Sequence, residues 1–280
     1  MVNTSKKTGL LTDSTDSGIA AANEVVEKLV EDIKLGKTEG RRIFLVGDST
    51  VSPFKDDFYI PRNGWGMKMQ DYIDRSKAEV VNLAISGRSS KSFLIEKNYK
   101  VLKEFIKKDD YLIIGFGHND EKLEEARYSN PNLLKNEEGG FQNYLYEYYI
   151  KLARLAGAIP VLCTPIVRRP VNGNYSGMYV HVTKTENVSF PGGDYPRAIR
   201  LLAADEGVLL VDLTKITKCL YERLGQEENK KLLSAKSAKD EDLDMTHLNA
   251  YGATVVAKIV CTELAAQDSV FAGLLNGEIK

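Results

Sequence analysis

Cysteine, histidine and long apolar runs are all scarce in this chain, and each scarcity excludes something. The three cysteines, Cys163, Cys219 and Cys261, form an odd, widely spaced set with no CxxC pair. No disulfide framework is expected, and the two that sit in apolar segments read as buried free thiols. No stretch approaches the roughly 20 apolar residues of a membrane span. The N-terminus, MVNTSKKTGLLTDSTDSG, has no apolar core of signal-peptide length. A reduced, cytoplasmic setting without a membrane partner is therefore the expectation, with secretion after removal of a leader as the alternative. On the first setting the N-x-S sequons at Asn3, Asn174 and Asn187 are chance matches. Excess charge is missing too. Lys and Arg number 38 against 39 Asp and Glu, for a formal net charge of −1. No basic face is forced by that balance, so nucleic acid is not an expected partner. GxSxG, GxxxxGK[ST] and HExxH are all absent, which removes three common active-site types.

What is present is a large α/β pattern. Hydrophobic residues make up 43% of the 280 positions, ample for a sizeable core. Apolar runs recur at 42–47, at 80–85 (VVNLAI), at 111–116 (YLIIGF), at 160–165 (PVLCTP) and at 208–213 (VLLVDL). Helical periodicity separates or follows them at about 64–75, 90–108, 141–157, 195–206, 214–233 and 250–267. Strand alternating with helix five times predicts a parallel sheet covered on both faces. A further helix is expected at 18–36, stopping at Gly36, behind a polar tail over 1–17. With no internal repeat and no Pro- or Ser-rich linker, residues 40–280 read as one domain. Residues 1–39 are then an appended tail and extra helix.

Loop length points to where chemistry sits. The long connections, 50–63, 117–140 and 166–194, all leave the carboxyl ends of expected strands, the edge at which open α/β sheets bind ligands. Four short blocks lie on or near that edge: GDST at 47–50, ISGRSS at 85–90, GHND at 117–120 and DMTHLN at 244–249. Taken singly each has a bland reading. Ser49 would cap a helix, Gly87 would be a turn glycine and Asn119 would bond a loop backbone. Asp244 would be a first-turn acid and His247 a surface histidine. Taken together, all five bland readings would have to hold at once.

The chemical reading is more economical. A serine hydroxyl is a poor nucleophile until a neighbouring base takes its proton. Of the three histidines, His118, His181 and His247, only His247 has a carboxylate three residues before it in a helix-entry context. Asp244 can then reach its Nδ1 and leave Nε2 facing Ser49. Attack creates an oxyanion, for which the Ser49 N–H, the Gly87 N–H and the Asn119 amide are the candidate donors. Gly87 would be glycine so that backbone can approach the reacting carbonyl closely. Asp48 is expected to anchor the turn, with an extra catalytic role left open. His181, in a polar loop, receives no role. A two-metal site would draw on Asp48, His118, Asp120, Asp244 and His247, but such sites recruit more histidines and carboxylates than this.

The order of the four blocks resembles the SGNH (GDSL-type) hydrolase superfamily over about residues 41–265. In that superfamily the Ser of GDS, a Gly of the second block, the Asn of GxND and the Asp and His of DxxH build the site. These match Ser49, Gly87, Asn119, Asp244 and His247. The resemblance implies a flavodoxin-like, three-layer α/β/α fold with a five-stranded parallel sheet, and a reaction without metal or organic cofactor. Within the superfamily the chain looks most like rhamnogalacturonan acetylesterases, through GDST, NGWGMKMQDYI at 63–73, NLAISGRSSKSF at 82–93, GHND, TPIVRR at 164–169, 193–214 and DMTHLN. That implies a serine esterase removing acetyl groups from pectic oligosaccharides through an acyl-enzyme. A lipid or thioester acylhydrolase is the alternative within enzymes, and a catalytically inactive carbohydrate-binding protein the alternative outside them. Pectic sugars carry carboxylates, so Arg88, Arg168 and Arg169 are candidate substrate contacts, against a solvated-surface reading. Trp65, Phe58 and Tyr59 are candidate sugar-stacking rings, against core packing.

Overall fold

The computed structural model describes residues 16–35, 40–55, 62–235 and 243–279. Five strands form one parallel sheet: β1 (Arg41–Gly47), β2 (Ala78–Asn82), β3 (Tyr111–Gly115), β4 (Ile159–Cys163) and β5 (Leu209–Val211). Their order across the sheet is β2-β1-β3-β4-β5. This is the doubly wound, flavodoxin-like order, whose direction reverses at β1 and β3.

Side-chain alternation sorts the core into two layers. On β1, Ile43 and Leu45 enter one apolar cluster and Phe44 and Val46 the other. On β3 the pairs are Tyr111 with Ile113, and Leu112 with Ile114. Strands covered on both faces have no solvent side for polar residues, which is why RRIFLVG and YLIIG read as near-continuous apolar runs. One layer of helices comprises α1 (Asp16–Lys34), α2 (Lys97–Phe105), α3 (Phe141–Leu145), α4 (Lys151–Ala156) and α5 (Tyr195–Glu206). It contributes Val26, Leu102, Leu145, Ala153 and Leu202 to its face of the sheet. The stretch from α3 to α4 continues through a π-helical turn, Tyr146–Ile150. The opposite layer holds a 3-10 segment (Trp65–Tyr72), α6 (Leu213–Glu228), α7 (Ala250–Gln267) and α8 (Ser269–Ala272). Trp65, Tyr221, Val260 and Phe271 are fully buried there. Burial of each such side chain contributes about 1.5–3 kcal/mol, so both layers are strongly attached.

The expected elements differ from the observed ones mainly at their ends. The 90–108 helix is divided into a 3-10 turn, Ser92–Ile95, and α2. The fifth strand stops at Val211, because the Asp212 side chain caps α6 by accepting from the Lys215 N–H. A second, two-stranded antiparallel sheet was not foreseen: β6 (Leu233–Ala235) with β7 (Leu243–Leu248). The first five residues of the DMTHLN block run along β7, and the sixth, Asn249, caps α7, which the block precedes as expected. The helix begins after it, at Ala250, with Asn249 accepting from the Gly252 N–H. Cys163 and Cys261 are buried free thiols and Cys219 is an exposed one. No described helix is long and apolar enough to cross a membrane. The tail before Asp16, Gly36, Phe58 and Tyr59 lie outside the described residues.

Candidate active site

β1 ends beside β3 with no room for a side chain at its last residue. Gly47 pairs with Gly115, and a Cβ on Gly47 would lie 2.5 Å from the Gly115 carbonyl oxygen and 2.7 Å from Val51 Cγ2. Only glycine fits. Asp48 then closes the turn: its Oδ1 accepts from the Thr50 N–H (2.9 Å) and hydroxyl (2.8 Å), and its carbonyl from the Val51 and Ser52 N–H groups. Its Oδ2 accepts from the His118 N–H at 3.3 Å. Burial raises the Asp48 carboxyl above its ordinary range, against these hydrogen bonds, which lower it. The strand therefore stops on Gly-Asp-Ser because the glycine permits close strand contact and the aspartate folds the turn. Ser49 is left at its apex, 7% exposed.

Topology gathers the other blocks around it. β2 and β3 flank β1, so the residues following the three strands are neighbours on one sheet edge. Beyond β2 the chain stays alongside β1, with Leu83 N–H donating to Leu45 O and Ile85 N–H to Gly47 O. It then turns at Gly87, whose φ of 80° is left-handed. From the β3 side, Asn119 Nδ2 donates to the Arg88 carbonyl at 3.1 Å, joining the third block to the second. Asp120 adds a second tie. Its Oδ1 accepts from the Ser90 N–H at 3.0 Å, the Ser90 hydroxyl at 2.5 Å and the Ser129 hydroxyl at 2.9 Å. Burial pushes the Asp120 carboxyl up to about 7, although the Ser90 and Ser129 hydrogen bonds pull the other way.

β7 supplies the fourth block. His247 Nε2 lies 2.9 Å from Ser49 Oγ, and His247 Nδ1 lies 2.7 Å from Asp244 Oδ2. A carboxylate can only accept, so Nδ1 carries the proton and Nε2 is the acceptor for the serine hydroxyl. In a regular strand, residues three apart point to opposite faces. Here Asp244 bends the backbone back on itself: its Oδ1 accepts from the Thr246 N–H (2.9 Å) and the His247 N–H (3.0 Å). The reach expected from a helix is thus achieved by an Asx turn. Arg62 Nη2 stands 3.2 Å from Asp244 Oδ2. Burial would raise the Asp244 carboxyl. The hydrogen bond and charge of His247 and the two backbone donors outweigh it and hold the group well below the usual carboxylate range. Backbone bonds fix β7 in place, from Asn63 N–H to Leu248 O and from Arg169 N–H to Met245 O.

Other candidates are placed differently from the sequence reading. Trp65 is 1% exposed in the core, so it offers no ring face to a sugar. Arg88 is buried, its Nε bonded to Glu96 at 2.7 Å and its Nη1 to the Ser86 carbonyl. Arg169 is buried against Asn229 Oδ1 (2.6 Å) and the Gln226 carbonyl (2.9 Å). Arg168 pairs with Glu121 and donates to the Met178 carbonyl. Burial of Arg88 and Arg169 speaks against their reading as substrate contacts, whereas Arg168, paired with Glu121, is only partly buried. His181, in the polar loop, is not exposed to solvent. It is fully buried, its Nε2 2.7 Å from the Ile166 carbonyl and its Nδ1 3.2 Å from Glu121. His118 packs edge-on to it with ring centroids 4.4 Å apart. Burial, with His181, Arg168 and His247 nearby, holds the His118 imidazole well below its ordinary range and therefore neutral. Among the described residues no group of three or more His, Cys, Asp or Glu is placed to hold a metal ion. Arg62, missed in the sequence, carries no local signal there beyond preceding NGWG.

An imidazole held by a buried carboxylate can take the proton of the serine hydroxyl bonded to it, leaving a serine oxygen able to attack an acyl carbonyl. Residues 43–260 match the model of the GDSL-like lipase/acylhydrolase family. The chain belongs to that family. It is accordingly a carboxylic ester hydrolase, on the fold expected of one. The rhamnogalacturonan acetylesterase RhgT of Bacillus subtilis (strain 168) is 35% identical over 225 residues, covering 78% of this chain and 87% of the relative. A probable rhamnogalacturonan acetylesterase of the same organism, YesY, is 32% identical over 219 residues, covering 78% and 89%. The crystal structure of Bacillus subtilis protein YxiM superposes with a TM-score of 0.61 at 26% identity, covering 81% of this chain and 57% of that one.

Proposed function

We propose that this protein is a serine esterase that removes O-acetyl groups from acetylated carbohydrate, with pectic, rhamnogalacturonan-type oligosaccharides as its substrate class. The observation that carries the proposal is the hydrogen-bonded series Ser49 Oγ–His247 Nε2 (2.9 Å) and His247 Nδ1–Asp244 Oδ2 (2.7 Å). The names of the two relatives at 32% and 35% identity supply the substrate class. Residues 40–280 form the hydrolase domain in this reading, with 1–39 appended to it.

The hydrogen-bonded series supports the following steps. Ser49 Oγ attacks the acetyl carbonyl carbon while His247 Nε2 takes the hydroxyl proton, and Asp244 stabilises the imidazolium so formed. Negative charge develops on the carbonyl oxygen, where the N–H groups of Ser49 and Gly87 and the Asn119 amide donate to it. His247 then gives its proton to the departing sugar hydroxyl, leaving acetyl-Ser49. Water attacks this ester with His247 again as base, and acetate and free Ser49 result.

Polar and charged residues dominate the loops at this edge, HNDEKLEEARYSNPNLLKNEEGG and VRRPVNGNYSGMYVHVTKTENVSFPGGD, which suits hydroxylated rings better than an acyl chain. Two measurements test the assignment. Acetate release from a panel of acetylated oligosaccharides should be fastest on rhamnogalacturonan-type material. On p-nitrophenyl esters, kcat/KM should be highest for acetate and fall through butyrate to octanoate. An apolar channel would instead gain about 0.8 kcal/mol for each added methylene. A rise with chain length would replace the acetylesterase by a lipid or thioester acylhydrolase.

A further inference from the structure

We propose that Arg127 is a positioning residue for the reaction, orienting and polarising the Asn119 amide so that Nδ2 serves as the oxyanion donor. This rests on the serine-esterase reading above, in which Asn119 has that role.

An asparagine amide has nearly the same shape in both of its flipped orientations, yet only one end can donate to an oxyanion. Two independent neighbours decide the orientation here. Arg127 Nη1 stands 3.1 Å from Asn119 Oδ1, and a guanidinium has donors only, so the end facing it must be the oxygen. The Arg88 carbonyl stands 3.1 Å from Nδ2 and accepts only, so that end must be the nitrogen. One N–H is committed to Arg88, which leaves the second for the oxyanion in this reading. A flipped amide would set NH2 against a guanidinium and carbonyl against carbonyl.

Charge adds to orientation. A cation on the amide oxygen draws electron density through the conjugated O–C–N unit and makes Nδ2–H a stronger donor. Asn119 and Arg127 are 4% and 3% exposed, so solvent and salt screen this contact weakly. The loop is folded to present the arginine. Lys122 N–H donates to Asn119 O, Arg127 N–H to Glu124 O and Ser129 N–H to Asp120 O, so the chain returns to Asp120 nine residues on. Glu124 also pairs with the Arg127 Nε. Arg127 thus reaches inward to the third block, and its burial leaves it no surface for gripping a substrate carboxylate.

A double-mutant cycle on kcat with p-nitrophenyl acetate tests the proposal. Arg127→Met keeps the apolar stem and removes the cation. It should lower kcat about tenfold or more with KM nearly unchanged, a smaller loss than the about hundredfold or more expected for Asn119→Ala. In the Asn119→Ala background, Arg127→Met should cost little further, because its route to the reaction is already gone. An equal cost in both backgrounds would overturn the proposal, since a structural role does not depend on Asn119. An active-site effect confined to Asn119→Ala, with R127M at full kcat, would overturn it while leaving the esterase reading intact. Full kcat in Asn119→Ala itself would remove the oxyanion role of Asn119 and this proposal with it. Should R127M fail to fold, Arg127→Lys retains a charge but not the fork, and should give an intermediate kcat that again vanishes as a separate effect without Asn119. Wild-type kcat in R127K, or a loss that persists without Asn119, would equally overturn it.

Discussion

Replacing Asp244 by asparagine removes one charge and no heavy atoms, and the hydrogen-bond inventory around it dictates the outcome. Oδ1 accepts two backbone N–H groups, of Thr246 and His247, while Oδ2 accepts from His247 Nδ1 and lies 3.2 Å from Arg62 Nη2. An amide oxygen can replace Oδ1 without loss, so the asparagine settles with oxygen toward the backbone and NH2 toward His247. That NH2 can only donate. It forces Nδ1 to accept, moves the imidazole proton to Nε2, and leaves His247 unable to take a proton from Ser49. The same replacement in a serine-protease triad lowers kcat about 10⁴-fold, equivalent to about 5.5 kcal/mol in the barrier. Asp244→Asn should therefore lower kcat on p-nitrophenyl acetate by about three to four powers of ten, with KM changed little. The Asx turn survives in the variant, so near-ultraviolet circular dichroism should still report a folded protein. A folded Asp244→Asn variant with near-full kcat would refute the triad reasoning, leaving Asp244 as a turn residue only.

Two further outcomes follow from the same framework. Gly47→Ala places a methyl group 2.5 Å from the Gly115 carbonyl oxygen, so unfolding in urea should show a loss of about 1–3 kcal/mol, with a fall in kcat as the Ser49 turn shifts; unchanged stability would contradict the close approach. Asp120 has a carboxyl raised by burial to about 7 against about 3.9 in an unfolded chain, so its stabilising contribution is complete below about pH 4 and is lost as pH rises through about 7. Asp120→Asn fixes a neutral side chain, and its stability relative to the parent should rise by up to about 4 kcal/mol between pH 4 and pH 8 in urea titrations; a difference independent of pH would contradict the buried acid.

The parts of this molecule legible in the sequence are those written in local patterns. Each sheet strand is a short apolar run because both its faces are covered, and Gly47-Asp48-Ser49 is a self-contained turn. Of the five candidate residues in the four compact blocks, Ser49, His247 and Asp244 are joined by hydrogen bonds, and Asn119 is bonded to Arg88, next to Gly87. What was misread depends on distant partners. Arg88 and Arg169 look like surface arginines because Glu96 and Asn229, their acceptors, lie 8 and 60 residues away. His181 is a loop residue as read, but its burial is not legible locally, because Ile166 and Glu121, which meet its two nitrogens, lie 15 and 60 residues away. Trp65 stands between Gly64 and Gly66, and nothing local decides whether its ring faces inward or outward. The DMTHL segment has the Asp-to-His spacing of a helix but folds as a strand with an Asx turn, and spacing alone does not separate the two. Arg127 sits in a polar loop, where nothing local marks it as a partner of Asn119.

The central claim is that Ser49 is a nucleophile activated by His247. An organophosphonate ester probe reports this directly, since it reacts with a serine whose proton is being taken. Peptide mass spectrometry should find one label per chain, on Ser49, with esterase activity falling in step with labelling. Ser49→Ala should be neither labelled nor active, and His247→Ala should label far more slowly. A label on another residue, or full activity in Ser49→Ala, would contradict the account.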